Sequence, residues 1–267
     1  MAPALAGVGT FVASYIRYAA MPLPRFHIDL PMSPGARLAL PDAIAHHALR
    51  VLRLREGEAI VVFDGRGGQY PAVLEAEGKR GYARLGAHDA REAELPGRIV
   101  LAQAIPSGDK MDWVIEKAVE VGAAAIQPLA AARSVLRLSG ERLEKRLQHW
   151  RRVAVAACEQ CGRNRVPEVG APLTPQQWLE TPPADGAVRL LCDPDAGVRL
   201  TDWAGAPAAP PAAIELLVGP EGGWSDEEYA LAQRHGVRMV RFGDRILRTE
   251  TAGTALVSAL SAKLGWI

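Results

Sequence analysis

The chain has 267 residues, enough for two domains and a sizeable core, and its 31 basic against 30 acidic residues leave a formal net charge of +1. No overall basic field is therefore available for nucleic acid, and any RNA contact must come from a local patch. Three cysteines are too few and odd in number, which excludes a disulfide-stapled scaffold and fits a reducing, cytoplasmic compartment.

Met1 to Pro22 is small and apolar with almost no charge; it lacks the basic start of a secretory signal and is too interrupted to span a membrane. Residues 1–23 are expected to be a disordered extension. From 24 to 94 the pattern is that of a compact β-rich unit. Asp42 can cap a short helix running through Leu52. Ala59–Phe63 enters Asp64–Gly68 and continues into Gln69–Glu75, which reads as a hairpin. Arg25, Arg50, Arg53, Arg55 and Arg66 fall in this unit and make a phosphate-tracking patch if they converge; otherwise they are a solvated face. His46 and His47 are adjacent and point apart, so no metal site is expected there.

A break at Ala93–Gly97 opens a second unit over 97–267. Ile99–Ala102 reads as a strand and Asp109 to Gly122 as a helix, with apolar Met111, Val114, Ile115, Ala118 and Val121 at helical spacing. Ala124–Leu129 is the next strand. Ser139 is expected to cap a long helix whose apolar positions, Leu143, Leu147, Trp150, Ala154, Ala157 and Cys161, step by fours and threes. Cys158 and Cys161 form a C-x-x-C with no second pair, so core packing is expected rather than zinc. Arg163 closes this helix, where its charge complements the dipole or meets phosphate or a target base. Pro-rich stretches Leu173–Asp185 and Gly205–Ala213 read as surface connections around the strand Val188–Cys192.

The C-terminal part carries the strongest pattern. Ile214–Val218 is an apolar strand running into Gly219-Pro220-Glu221-Gly222-Gly223-Trp224. Ser225 and Glu228 then form a capping box, Gly236 ends the helix, and Val237–Phe242 is a second strand stopping at Gly243 before a small-residue helix from Ala252 to Leu264. Strand, helix and strand make a βαβ unit whose two loops open on one sheet edge, where α/β sheets bind ligands. Alternating strands and helices predict an α/β fold with a parallel sheet. The usual dinucleotide fingerprint G-x-G-x-x-G is absent.

Leu217–Trp224 followed by Ile246–Ala252 resembles the paired signature of the RsmE family of ribosomal RNA methyltransferases, of the SPOUT class. Asp109–Trp113, Glu116-Lys117, Arg133–Val135 and Glu159–Arg163 agree with it in order and spacing, and the resemblance spans nearly everything from about Pro24 onward. Cys161 stands where serine is expected and Phe242 where leucine is usual. The resemblance implies a SPOUT domain with a trefoil knot, preceded by a PUA-like β-barrel that grips RNA. It also implies a homodimer acting on 16S ribosomal RNA or the small ribosomal subunit, without metal or membrane, and S-adenosylmethionine-dependent methylation of a uridine N3. The cofactor site it implies comprises Leu217, Gly219, Pro220, Glu221, Gly222, Gly223, Phe242, Gly243, Ile246, Leu247, Arg248 and Thr251. Arg25, Arg50, Arg53, Arg66, Arg133 and Arg163 are the RNA-binding candidates.

Arg248, Glu250 and Arg163 are the catalytic candidates. Arg248 suits an oxyanion-type role toward the uracil oxygens. Glu250 or Glu221 can accept the N3 proton if burial raises its pKa, although Glu250 also suits the helix dipole at that position. Two other readings stand beside this one: a SPOUT methyltransferase for another RNA site such as a tRNA ribose, and a non-catalytic RNA-binding ribosome assembly factor.

Overall fold

The computed structural model describes residues 23–135, 139–183, 186–203 and 211–267. The extension expected over residues 1–23 lies, apart from Leu23, outside the described residues, as does most of the second Pro-rich connection. The chain divides into two compact units. One holds the described residues up to Asp64 with Gln69–Ala90; the other holds Gly65–Gly68 and Arg91–Ile267. No described helix is long and apolar enough to cross a membrane.

The first unit is a five-stranded sheet in the order β1-β3-β4-β5-β2, from β1 (Arg25–His27), β2 (Arg37–Ala39), β3 (Ala59–Phe63), β4 (Tyr70–Glu77) and β5 (Arg80–Leu85). The expected hairpin is β3 against β4, antiparallel, with Ala59 opposite Val73. Alternate residues Ala72 and Leu74 of β4 and Ala83 and Leu85 of β5 point into one core with Phe26 and Ile60. The three-residue strands β1 and β2 are too short to show alternation in sequence. The predicted helix is shorter and differently capped. Pro41 occupies the N-cap, α1 spans Asp42–His46, and a π-helical turn, His47–Val51, replaces the regular continuation. The chain leaves that turn through Arg53 in the left-handed region, at φ 56.

The second unit holds a six-stranded sheet in the order β11-β9-β10-β6-β7-β8. Its strands are β6 (Arg98–Ala104), β7 (Ala125–Leu129), β8 (Glu168–Val169), β9 (Ala187–Cys192), β10 (Ala213–Val218) and β11 (Arg238–Val240). Every pairing is parallel. β10 is buried throughout and β6 except at its first residue, so both read as apolar runs rather than alternations. The helices are α2 (Lys110–Glu120), α3 (Gly140–Cys161), α4 (Pro175–Glu180), α5 (Asp226–Arg234) and α6 (Thr249–Lys263).

Of the spacing-based faces, Met111, Val114, Ile115 and Ala118 of α2 and Leu147, Trp150, Ala154 and Ala157 of α3 are buried, with Cys158 beside them, whereas Val121, Leu143 and Cys161 at the helix ends are only half-buried. Ser225 makes its capping box with Glu228, worth about 1 kcal/mol. One expected cap differs: Ser139 sits at its N-cap without a side-chain bond. Asp109, at the N-cap of α2, accepts a hydrogen bond from Arg146 at 2.8 Å. The first Pro-rich connection is also corrected, since it contains α4. Pro175 stands in the first turn, where its missing N–H costs nothing, and Thr174 and Gln177 cap the helix reciprocally. β11 and β10 are parallel as the βαβ reading requires, with β9 inserted between them.

One charge pair interrupts the apolar strands. Arg189 of β9 lies opposite Glu215 of β10 and bonds it at 2.6 Å, both buried. Its remaining N–H groups reach the carbonyls of Leu179 and Thr181, tying the end of α4 to the sheet.

Candidate functional site

A cavity of about 330 Å³ opens at the carboxyl ends of β9 and β10, a size that suits a small-molecule ligand. The strand order explains its place. From β6 the chain runs outward through β7 and β8, then continues on the other side with β9 and β10, so the loops after β6 and β10 diverge. The two C-terminal loops meet here: Val218–Glu221 forms one wall and Ile246–Glu250 another. Of the predicted cofactor residues, Gly219, Pro220, Glu221, Gly223, Ile246, Leu247 and Arg248 line the cavity.

Leu217, Gly222, Phe242, Gly243 and Thr251 are not in its lining, for local reasons. Leu217 points to the opposite face of β10 from Val218 and packs in the core with Ala102 and Leu191. Gly222 faces Arg133, whose guanidinium donates to its carbonyl at 3.0 Å. Gly243 is an exposed turn residue at φ 67, Phe242 is half-buried before it, and Thr251 is exposed on α6. Residues not singled out for the site also line it, among them Lys110, Cys192, Trp224, Tyr229 and Thr249. Lys110 and Thr249 lay inside quoted motifs, whereas Cys192 and Tyr229 arrive from separate elements and carry no local signal.

The two loops are held together by a buried chain of hydrogen bonds. Gln103, fully buried on β6, donates to Thr249 Oγ1 at 2.9 Å, and that hydroxyl donates to the carbonyl of Gly219. Thr249 thus fastens the start of α6 to the end of β10. Trp224 folds back over Gly219, where a Cβ would stand 3.1 Å from the indole nitrogen. A side chain there would require the indole to give by a few tenths of an ångström. The buried indole N–H of Trp224 and one carboxylate oxygen of Glu250 have no hydrogen-bond partner among the described residues, and both residues line the cavity.

Charge is concentrated on one side. Glu221 Oε1 accepts from Lys110 Nζ at 2.8 Å and from Ser107 Oγ at 2.7 Å, and the Ser107 amide adds a further bond. Burial alone would raise the Glu221 carboxyl, but the bonds from Lys110 and Ser107 prevail and bring it down to about 2. Glu221 therefore remains anionic near neutral pH, and the expectation that burial makes it a proton acceptor is corrected. Lys110 also lies 3.8 Å from Glu250 Oε2, and its own pKa is raised chiefly by the Glu221 hydrogen bond. Burial, reinforced by Asp193, pushes Tyr229 up to about 12 and Cys192 up to about 11, so both stay protonated. Among the described residues no group of three or more His, Cys, Asp or Glu could hold a metal ion.

Arg248 is exposed at the cavity rim, at the N-cap of α6, and Glu250 is half-buried in the first turn. Arg163 lies elsewhere. It is 3% exposed, donates to both carboxylate oxygens of Glu94 and to the carbonyls of Val119 and Ala123, and is not in the cavity lining. The expectation that it meets phosphate or a base is corrected, because its donors are turned inward to protein oxygens. Arg50, Arg53, Arg66 and Arg133 are exposed. Arg25 is half-buried, bonded to Gln69 at 2.6 Å and lying over the Phe63 ring.

Known proteins match this architecture. The model of an RNA methyltransferase domain matches residues 93–261, and that of an RNA methyltransferase PUA domain matches residues 40–83. Ribosomal RNA small subunit methyltransferase E of Synechocystis is 37% identical over 234 residues, 86% of this chain and 74% of that protein. Its Bacillus subtilis counterpart is 34% identical over 90% of this chain and 96% of its own length. The enzyme of the same name from Neisseria gonorrhoeae, solved bound to S-adenosylmethionine, superposes with a TM-score of 0.82 at 38% identity, covering 90% of this chain and 97% of that one. With the domain model spanning most of the second unit and full-length relatives above 30% identity, the chain belongs to the ribosomal RNA small subunit methyltransferase E (RsmE) family.

Proposed function

We propose that this protein methylates N3 of one uridine in 16S ribosomal RNA, with S-adenosylmethionine bound in the cavity between the β10 and α6 loops. The observation that carries the reading is the convergence of Gly219–Glu221 and Ile246–Arg248 on one cavity, fastened by the Gln103–Thr249–Gly219 chain. Apolar Val218, Pro220, Ile246 and Leu247 suit an adenine and the methylene groups of a methionine chain. When bound, the cofactor supplies an electrophilic methyl on a sulfonium. The protein's share is placement and charge: Arg248 at the rim stabilises negative charge developing on the uracil oxygens. Glu250 is the remaining candidate for the N3 proton.

Mass spectrometry of small-subunit RNA from a deletion strain tests this directly: one methyluridine should be missing and should return on adding purified protein with S-adenosylmethionine. A ribose methyl, or no change, ends the reading. Glu250→Gln should lose most of its turnover with cofactor affinity kept if Glu250 is the base; near-normal turnover assigns it to the helix dipole. Dimerisation belongs to the same proposal, resting on the small, half-buried residues Ala255, Ser258 and Ala259 along α6. Sedimentation as a stable monomer at micromolar concentration would count against it.

A further inference from the structure

We propose that Lys110 is a second cationic group for the target base, acting with Arg248 to bind the anionic form of the uracil. This rests on the uridine-N3 reading above. Lys110 stands in the first turn of α2, and Arg248 is the N-cap of α6, yet both line the same cavity. Three charged groups face the ammonium: Glu221 at 2.8 Å, Glu250 at 3.8 Å, and Arg248; Asp109, next to it in sequence, is turned away to Arg146. Glu221 is anchored by Ser107 and fixes the position of Lys110, while Glu250 lies beyond hydrogen-bond distance. An ammonium carries three donors, and one bond to Glu221 leaves donors for a ligand at the cavity mouth.

The chemistry requires such a group. Uridine N3 carries a proton and no free lone pair until that proton is lost; the resulting charge is shared with O2 and O4. As the N3–carbon bond forms, the donor's sulfur–carbon bond breaks and its electron pair stays on sulfur, so the N3 proton must have passed to a carboxylate or to solvent. Cations facing O2 or O4 favour that proton loss. Lys110, brought to the same cavity by α2, adds a second positive charge to that of Arg248. Lys110 stays protonated because Glu221 stays ionised, so its part is electrostatic and not that of a base.

The test uses full-length protein with small-subunit RNA. Lys110→Met should lower kcat about 10²-fold at neutral pH with S-adenosylmethionine affinity by calorimetry unchanged. Its pH–rate profile should rise later than the wild type's, so that the deficit shrinks as pH increases and the uracil ionises unaided. Lys110→Arg should recover most of the loss, because charge and not shape is required. A deficit that is equal at every pH, or one matched by weakened cofactor binding, would place Lys110 in the support of the Glu221 loop and overturn the proposal. Near-normal turnover overturns it as well. The wild-type product, read separately, decides the underlying reading: a methyl found anywhere but uridine N3 sinks both, whereas N3-methyluridine with an unaffected Lys110→Met variant sinks only this inference.

Discussion

Arg163 and Arg248 close two corresponding points of the second unit, one past the end of a helix and the other before the start of one, and the fold treats them in opposite ways. Arg163 is buried and its donors are taken by Glu94 and two main-chain carbonyls. Arg248 is exposed at the rim of the cavity. Both sit in family-like motifs and both were reasonable candidates for chemistry. The difference teaches that an arginine acts on a ligand only if its neighbours leave donors over. Where protein oxygens take them, the charge is structural, and removing it strands the partner it neutralised.

The largest effect should come from Arg163→Met, which leaves Glu94 unpaired and lowers stability by about 3–5 kcal/mol in chemical denaturation. A loss under about 1 kcal/mol with collapsed RNA affinity would reverse the roles of the two arginines. Arg248→Ala should leave the denaturation midpoint nearly unchanged but cut kcat about 10²–10³-fold, the cost of one transition-state donor. A comparable loss of stability would show Arg248 to be structural after all.

Thr249→Val asks how far the rim depends on its buried fastening. It orphans the Gly219 carbonyl, a cost of about 1–3 kcal/mol, and leaves the Gln103 amide bonded only to the Ala104 carbonyl; it should weaken S-adenosylmethionine binding in calorimetry, with Thr249→Ser restoring it. Unchanged affinity in the valine variant would separate the fastening from the cofactor site. The smallest effect concerns acid. Glu221 titrates at about 2 in the fold, against about 4.3 in an unfolded chain. Its contribution is therefore fully present above the unfolded value and is lost as pH falls toward about 2. The stability gap between wild type and Glu221→Gln should be constant from neutral pH to about 5 and close below it. A gap that persists at the acid end would mean that the Lys110–Glu221 contact is not what holds this carboxyl down.

Several elements are legible in the sequence alone. The α2 and α3 faces follow from apolar spacing, the Ser225–Glu228 box from two residues three apart, and the β3–β4 hairpin from paired apolar runs about a turn. Others are not. α4 was hidden because Pro175 looked like a breaker, although the first helical turn is where proline is harmless. The strands β1 and β2 span too few residues for a period to register.

Within the cavity, glycine and proline between an apolar strand and a helix mark the turn at 219–223 in the sequence itself, whereas 246–248 are marked only by the family resemblance. Which side chains of those segments face the cavity was decided only in three dimensions. Leu217 and Val218 are neighbours in the chain but point to opposite faces of β10. Glu221 was expected to gain a proton through burial, and the approach of Ser107 and Lys110 from more than a hundred residues away made it the more acidic instead. Local pattern records what the backbone can do over a few residues; the charge state of a group depends on what the fold brings beside it, and that information is spread over the whole chain.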